Sequence, residues 1–317
     1  DCCGWNAEFD CITNENVDIF LKYIDTFSIK NIKNVIAFDL TLFFSEENLE
    51  KLKAKNFNVI SFKELITYEQ NMEKINLNFS TADTICTICY TSGTTGTPKG
   101  VKLTQNNLIS QLENMKDSEL FLTERDMLFI YLPLAHIMER IEIFVLLVSG
   151  ARGGLISGDP KTTLMEDIEI LKPTILITVP RILNLFRTKI LDTLNKLPNG
   201  CKKNLAMKGL NSKREKFKKT KKIKSFFYDL LIFKKVKKKF GGKIRVFITG
   251  SAPLSPEIAS DIKVFFGVPI LEGYGLTESS GAASASNIAD LENNCTGGPI
   301  KTCKIKLEDV PELNYHG

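Results

Sequence analysis

The sequence predicts an α/β protein of alternating strands and helices with largely parallel strands. Two kinds of local signal predict this class: recurring short runs of β-branched and aromatic residues, and helix-start chemistry between them. The chain's 317 residues and ordinary globular composition suit a large domain of two subdomains with a substantial core. In chain order, 34–38 reads as a strand, and Ser45 caps a helix whose first turn carries Glu46 and Glu47, where acids favour the helix dipole. Residues 58–62 and 84–90 read as strands, 100–103 as a short returning strand, and Thr104 as the cap of a helix running to about Leu112. Residues 127–132 form a strand ending at the Pro133 turn, followed by an apolar helix over 136–148. Further strands fall at 155–157, 174–179 and 243–249, and 304–307 is strand-like. Ser255-Pro256-Glu257 combines a cap, a proline at the first helical position and an acid, and its helix ends near Gly267.

The net charge of +5 hides an asymmetry. Residues 202–239 hold 16 Lys/Arg against 2 Asp/Glu, so the rest of the chain is acidic. A solvated loop or helix face is the usual fate of such a run. Here Phe226, Phe227 and Tyr228 stand beside it, which suits docking on an anionic membrane surface. Nucleic acid is not expected, because no recognition motif accompanies the charge. No apolar run approaches the roughly 20 residues of a bilayer-spanning helix. Eight cysteines include the pair Cys86 and Cys89. Residues three apart on a strand point to opposite faces, so these two read as small side chains beside a loop, not as a metal or redox pair. Reduced thiols imply a cytoplasmic protein or a cytosol-facing membrane surface, such as that of the endoplasmic reticulum.

The most informative stretch is Tyr90-Thr91-Ser92-Gly93-Thr94-Thr95-Gly96-Thr97-Pro98-Lys99-Gly100-Val101. Hydroxyls and backbone N–H groups donate to phosphate oxygens, glycines allow close approach, and Lys99 adds a point charge. The spacing excludes a Walker A loop, whose Gly-Lys-Ser/Thr ending is missing. A Gly/Thr-rich surface turn is the plain alternative, and the Pro-Lys-Gly ending argues against it.

These residues resemble the phosphate loop of the adenylate-forming superfamily, which includes acyl-CoA synthetases, the adenylation domains of peptide synthetases, and luciferases. Three more segments match in order. Leu132-Pro133-Leu134-Ala135-His136-Ile137-Met138-Glu139-Arg140 resembles the substrate-side histidine motif in its long-chain acyl-CoA synthetase form. Gly250-Ser251-Ala252-Pro253-Leu254-Ser255 resembles the adenine-pocket segment, and Glu272-Gly273-Tyr274-Gly275-Leu276-Thr277-Glu278 the segment that closes on the nucleotide.

The resemblance implies the fold of the large N-terminal domain of these enzymes. It implies that a carboxylate attacks the α-phosphorus of ATP to give an acyl-adenylate, and that CoA then displaces AMP. The implied cofactors and co-substrates are ATP, Mg2+ and coenzyme A, with a long-chain fatty acid as substrate. Thr91, Ser92, Gly93, Thr94, Thr95, Gly96 and Lys99 would cradle phosphate, and Gly250, Ser251, Ala252, Pro253, Gly273, Tyr274 and Gly275 would hold the nucleotide, with Tyr274 stacked on adenine. Thr277 would bond the α-phosphate, Glu278 would hold magnesium, and His136 would contact the carboxylate or acyl-phosphate. Ile141, Phe144 and Leu147 are either core or one wall of an acyl tunnel, and Arg181 lies in another family-like stretch. Gln105 stands where many relatives have a histidine.

The resemblance also implies a partial AMP-binding catalytic domain over 1–317, with pieces of about 1–83 and 84–317, an insertion-like basic segment at 202–239, and no C-terminal lid domain. Ser157-Gly158-Asp159 falls too early to replace the family's ribose-binding Thr-Gly-Asp. Another adenylate-forming ligase, or a non-catalytic nucleotide-binding module docked on a membrane, are the alternatives.

Overall fold

The computed structural model describes residues 9–38, 44–67, 79–91, 97–116, 122–291 and 295–313. The chain divides into two compact units, Asp1–Phe79 and Ser80–Gly317.

In the first unit, β1 (Phe9–Ile12), β2 (Asn34–Ala37) and β3 (Asn58–Ser61) form a parallel sheet in sequence order. The crossovers are α1 (Val17–Phe27) and α2 (Glu46–Ala54), and α3 (Phe62–Thr67) follows β3. Val17, Phe20, Val35, Leu52 and Phe57 form its core. Ser45 caps α2 as its sequence predicts, with Oγ accepting the Asn48 N–H at 3.3 Å.

The second unit opens with the antiparallel hairpin β4 (Ile85–Thr91) and β5 (Lys99–Thr104), followed by α4 (Gln105–Lys116). Thr104 and Asn107 cap α4 reciprocally: Thr104 Oγ1 accepts the Asn107 N–H at 3.3 Å, and Asn107 Oδ1 accepts the Thr104 N–H at 2.9 Å. Then come β6 (Met127–Ile130), α5 (Ile137–Ser149), β7 (Arg152–Leu155), α6 (Pro160–Leu171), β8 (Ile175–Thr178), α7 (Pro180–Asn195) and α8 (Cys201–Thr220). After α8 the short α9 (Phe226–Tyr228), a π-helical turn (Asp229–Phe233) and α10 (Lys234–Lys238) run on without a break. The chain continues as β9 (Val246–Thr249), α11 (Pro256–Phe266), β10 (Ile270–Leu276), a 3-10 turn (Thr277–Ser279), β11 (Gly281–Ala285) and β12 (Gly298–Pro299).

Seven strands make one sheet in the order β12-β11-β10-β9-β8-β6-β7. From β10 to β7 neighbours are parallel, and β11 and β12 join antiparallel. The five parallel strands therefore share one carboxyl edge, where α/β sheets bind ligands. The main core fills one face, from Phe129, Leu176 and Phe247 on the sheet to Leu183, Leu210, Phe233 and Phe265 on the helices.

Several expectations shift in detail. The strand expected at 155–157 lies upstream at Arg152–Leu155, and the segment 304–307 pairs with no strand among the described residues. Cys86 is exposed and Cys89 buried, as opposite strand faces require. Asp159 caps α6, its carboxylate accepting the Lys161 N–H at 2.8 Å. Lys213, in the basic run, is buried rather than solvated.

Candidate functional site

The hairpin brings Thr91 opposite Lys99 as its last pair, so the two residues form the base of the glycine-rich loop. Lys99 is exposed and Thr91 half-buried. Ser92, Gly93, Thr94, Thr95 and Gly96 lie outside the described residues.

Gly250, Ser251, Ala252 and Pro253 leave the carboxyl end of β9 as a largely exposed turn, anchored behind by buried Leu254. Ser251 adopts a left-handed backbone at φ 68°, uncommon for a residue with a Cβ. Thr249 pairs with Glu272, so the turn begins beside Gly273. A Cβ on Gly250 would stand 3.0 Å from the Gly273 carbonyl oxygen, which explains the glycine there. Just beneath, the Thr249 hydroxyl is buried with no hydrogen-bond partner among the described residues.

Along β10 the register shifts between Tyr274 and Gly275, a bulge that re-aims the neighbouring side chains. Tyr274 is 50% exposed, so its ring is not committed to the core. Gly275 faces β11 so closely that a Cβ would come within 1.8 Å of the Gly281 carbonyl oxygen. Thr277 and Glu278 follow on the 3-10 turn, half-buried and exposed respectively. Ser279 Oγ fixes that turn, accepting the Leu276 N–H at 2.9 Å and donating to the Gly281 carbonyl at 2.8 Å.

Two residues without a role in the motif resemblance tie these pieces together. Gln111, buried on α4, donates Nε2 to the Ser279 and Ala282 carbonyls at 3.1 and 2.9 Å. β5 also lies against the 277–279 turn, so hairpin and turn meet. Arg140 on α5 donates to the Leu134 carbonyl at 2.6 Å and to the Thr87 hydroxyl of β4, binding the histidine-bearing loop to the hairpin. A buried glutamine and a helix-face arginine carry no sequence signature for such contacts.

His136 is exposed at the N-cap of α5, its backbone N–H donating to the Pro133 carbonyl at 2.9 Å. It stands beyond the carboxyl end of β6, with β8 and β9 between that strand and β10. Arg181 is exposed in the first turn of α7, past the carboxyl end of β8. Ile141 and Phe144 pack against Cys89, Leu103 and Leu108, whereas Leu147 is exposed. One turn along α5 from His136, Glu139 and Glu142 are buried, and none of their carboxyl oxygens has a hydrogen-bond partner among the described residues. Burial pushes both carboxyls up, Glu139 to about 7 and Glu142 to about 9, and the charge of Glu139 adds to the rise at Glu142. The neighbouring Glu142 carboxyl, followed by the Leu132 and Tyr131 N–H groups, holds Glu139 lower, each from outside good hydrogen-bond geometry.

The AMP-binding enzyme family matches residues 27–317. Long chain acyl-CoA synthetase 6, peroxisomal, of Arabidopsis thaliana is 40% identical over 233 residues, covering 74% of this chain and 33% of its own. Fatty acyl-CoA synthetase A of Dictyostelium discoideum is 34% identical, covering 90% of this chain and 42% of its own. Long-chain-fatty-acid–CoA ligase 5 of Rattus norvegicus is 30% identical, covering 96% and 44%. The chain thus spans between a third and a half of the length of these relatives. Among solved structures, the A domain of a carboxylic acid reductase from Segniliparus rugosus, in complex with AMP and a co-purified carboxylic acid, superposes with a TM-score of 0.74. It is 21% identical and covers 99% of this chain and 46% of its own. The adenylation domain of a carboxylate reductase from Mycobacterium chelonae gives 0.74 at 20% identity, covering 99% and 45%. At such identity these two matches establish the fold: the chain folds as a portion of an N-terminal adenylation domain.

Proposed function

The chain belongs to the AMP-binding enzyme family, and from that premise we propose that it serves ATP-dependent activation of a long-chain fatty acid, followed by thioester formation with coenzyme A. The observation that carries this reading is the convergence of segments distant in sequence. The 250–253 turn starts beside Gly273, and the hairpin that bears the glycine-rich loop meets the turn carrying Thr277 and Glu278. The long-chain relatives support the substrate class.

In the first step a fatty-acid carboxylate oxygen attacks the α-phosphorus of ATP, forming the acyl-adenylate as pyrophosphate leaves. Negative charge crowds the reacting phosphates, so fixed donors aimed at them lower the barrier. Thr91, Ser92, Gly93, Thr94, Thr95, Gly96 and Lys99 hold the β- and γ-phosphates in this reading, and Thr277 donates to the α-phosphate. Tyr274 stacks on adenine against 250–253, and His136 contacts the carboxylate or acyl-phosphate. A magnesium ion fits the donor set, because it is commonly held by one or two carboxylates together with substrate phosphates and water. Glu278 supplies an exposed carboxylate beside the hairpin, and the described residues contain no cluster of three or more His, Cys, Asp or Glu that could cage a metal unaided. When bound, the ion supplies neutralisation of phosphate charge. In the second step the CoA thiolate attacks the acyl carbon and AMP departs.

No helix of the described residues is long and apolar enough to cross a membrane. A cytosol-facing location with peripheral contact to an anionic membrane suits an enzyme fed by membrane-dissolved fatty acid. The decisive experiment is fatty-acid-dependent ATP–pyrophosphate exchange by the full-length protein with acids of increasing chain length. Exchange peaking with long acids is the expected result. A peak with short or aromatic acids would move the assignment to another acid, and ATP binding without exchange would leave a nucleotide-binding module.

A further inference from the structure

We infer that the helical stretch 226–238 is a docking element for the surface of an anionic lipid bilayer. Its inner face is fully accounted for. Phe233 and Val236 are buried in the main core, and Tyr228 and Ile232 close over Gly209 of α8, where a Cβ would stand 2.7 and 2.8 Å from their side chains. Asp229 accepts the Ser225 N–H at 2.8 Å and pairs with buried Lys213, whose ammonium also lies 4.5 Å from the Phe233 ring centre. These contacts fix the rotation of the segment on the protein.

The opposite face is thereby turned outward, and it carries no polar side chain in its first two turns. Phe226 is 88% exposed and Phe227 57%, with Leu230 and Leu231 each about half exposed. The same face continues as Lys234, Lys235 and Lys238, all exposed, and Lys222 is exposed on the preceding loop. An apolar ridge between lysines is the arrangement of an interfacial helix: rings enter the acyl boundary while ammonium groups meet anionic headgroups. Water gains nothing from two solvated phenylalanines, and among the described residues nothing covers them. Charge complementarity selects the occupant, because the lysines that border the ridge favour a negative surface over a neutral apolar one. The surface is a property of this helix and does not depend on the ligase reading.

The test is co-sedimentation of the full-length protein with phosphatidylcholine vesicles, with and without phosphatidylserine, comparing wild type with Phe226→Gln/Leu230→Gln and with Lys234→Gln/Lys235→Gln/Lys238→Gln. The wild type is expected to bind the anionic vesicles, more weakly as salt rises, and each variant to lose about tenfold or more in partitioning. The substituted side chains are exposed, so unchanged thermal unfolding and unchanged ATP binding are expected alongside. A Phe226→Trp reporter, read as the difference from the same protein without that substitution, gives an added blue shift and quenching by brominated lipid if position 226 enters the bilayer. Equal partitioning of all three proteins, or an unshifted reporter, overturns the inference. So does a loss of self-association in the Phe226→Gln/Leu230→Gln variant with vesicle binding intact, which would assign the ridge to a second copy of the chain. Loss on lysine substitution alone, with RNA competing as well as vesicles, would assign a purely electrostatic surface and also overturn it.

Discussion

Glu139 and Glu142 show how one helix turn can set a protein's pH response. Both carboxyls are buried without hydrogen-bond partners among the described residues, and both hold their protons to higher pH than in an unfolded chain. Below the ordinary glutamate range both states are protonated and the pair carries no charge penalty. As pH rises toward about 7 and then about 9, the unfolded chain releases protons that the native state retains, so stability falls across that window. Glu142→Gln should flatten this slope. Urea unfolding at about pH 5 and about pH 8 should show the wild type losing on the order of 2 kcal/mol more than the variant between the two. A parallel pair of curves would show that the carboxyls find partners in solution. Elsewhere the residue-scale expectation is kinetic. If Lys99 and Glu278 serve the phosphates, Lys99→Ala and Glu278→Gln should each lower the exchange rate by about 10²- to 10³-fold while leaving thermal unfolding within about 0.5 kcal/mol, since both side chains are exposed. The motif segments were legible because their residue types and spacing resemble those of a known family. Gln111 was not, because a hydrogen bond to a backbone carbonyl some 170 residues away leaves no local pattern, and the link from Arg140 to Thr87 crosses 53 residues.

At the scale of elements, helices are held by charge as well as by packing. Asp261 on α11 is buried and accepts from Arg187 of α7 at 2.7 Å and from both Nε and a terminal nitrogen of Arg214 of α8 at 2.7 Å. Removing the acceptor leaves two guanidinium groups facing each other in a partly desolvated site. Asp261→Ala should therefore cost about 3 kcal/mol in chemical denaturation. A loss below about 1 kcal/mol would mean that Glu257, which also pairs with Arg187, takes over the clamp. Element boundaries follow the same division between local and distant causes. α2 and α4 were readable because Ser45 and Thr104 cap them locally. The sequence pattern places β7 too late because Arg152-Gly153-Gly154-Leu155 has poor intrinsic strand character. The glycines are there for packing: a Cβ on either would come within 2.3 Å of Leu146 or Leu171, so the helices press directly on the backbone. Conversely, 304–307 alternates like a strand, but a pattern without a pairing edge forms no sheet.

For the molecule as a whole, function depends on strand order, which no local signal encodes. β7 pairs outside β6 while β8 takes β6's other side, so the chain passes back across β6 before building toward β9 and β10. That path sets the start of the 250–253 turn beside Gly273 and lets α4, some 170 residues earlier, reach the 277–279 turn through Gln111. A ligand bound there would couple segments that the chain itself connects only distantly. Native-state hydrogen exchange with saturating ATP or AMP should therefore protect β4 and β5, 250–254 and 272–281 together, although they are separated in sequence. The first unit, with its own sheet and core, serves as the internal reference. At a free ligand concentration about 100 times Kd, linkage gives about 2.7 kcal/mol of added stability to whatever cooperative unit forms the site. Protection confined to the hairpin would mean that phosphate alone is gripped and the 273–278 segment is a bystander. Joint protection of all three would show that the hairpin and the sheet's carboxyl edge bind as one cooperative surface, the outcome expected from the Gln111 bonds that join α4 to Ser279 and Ala282.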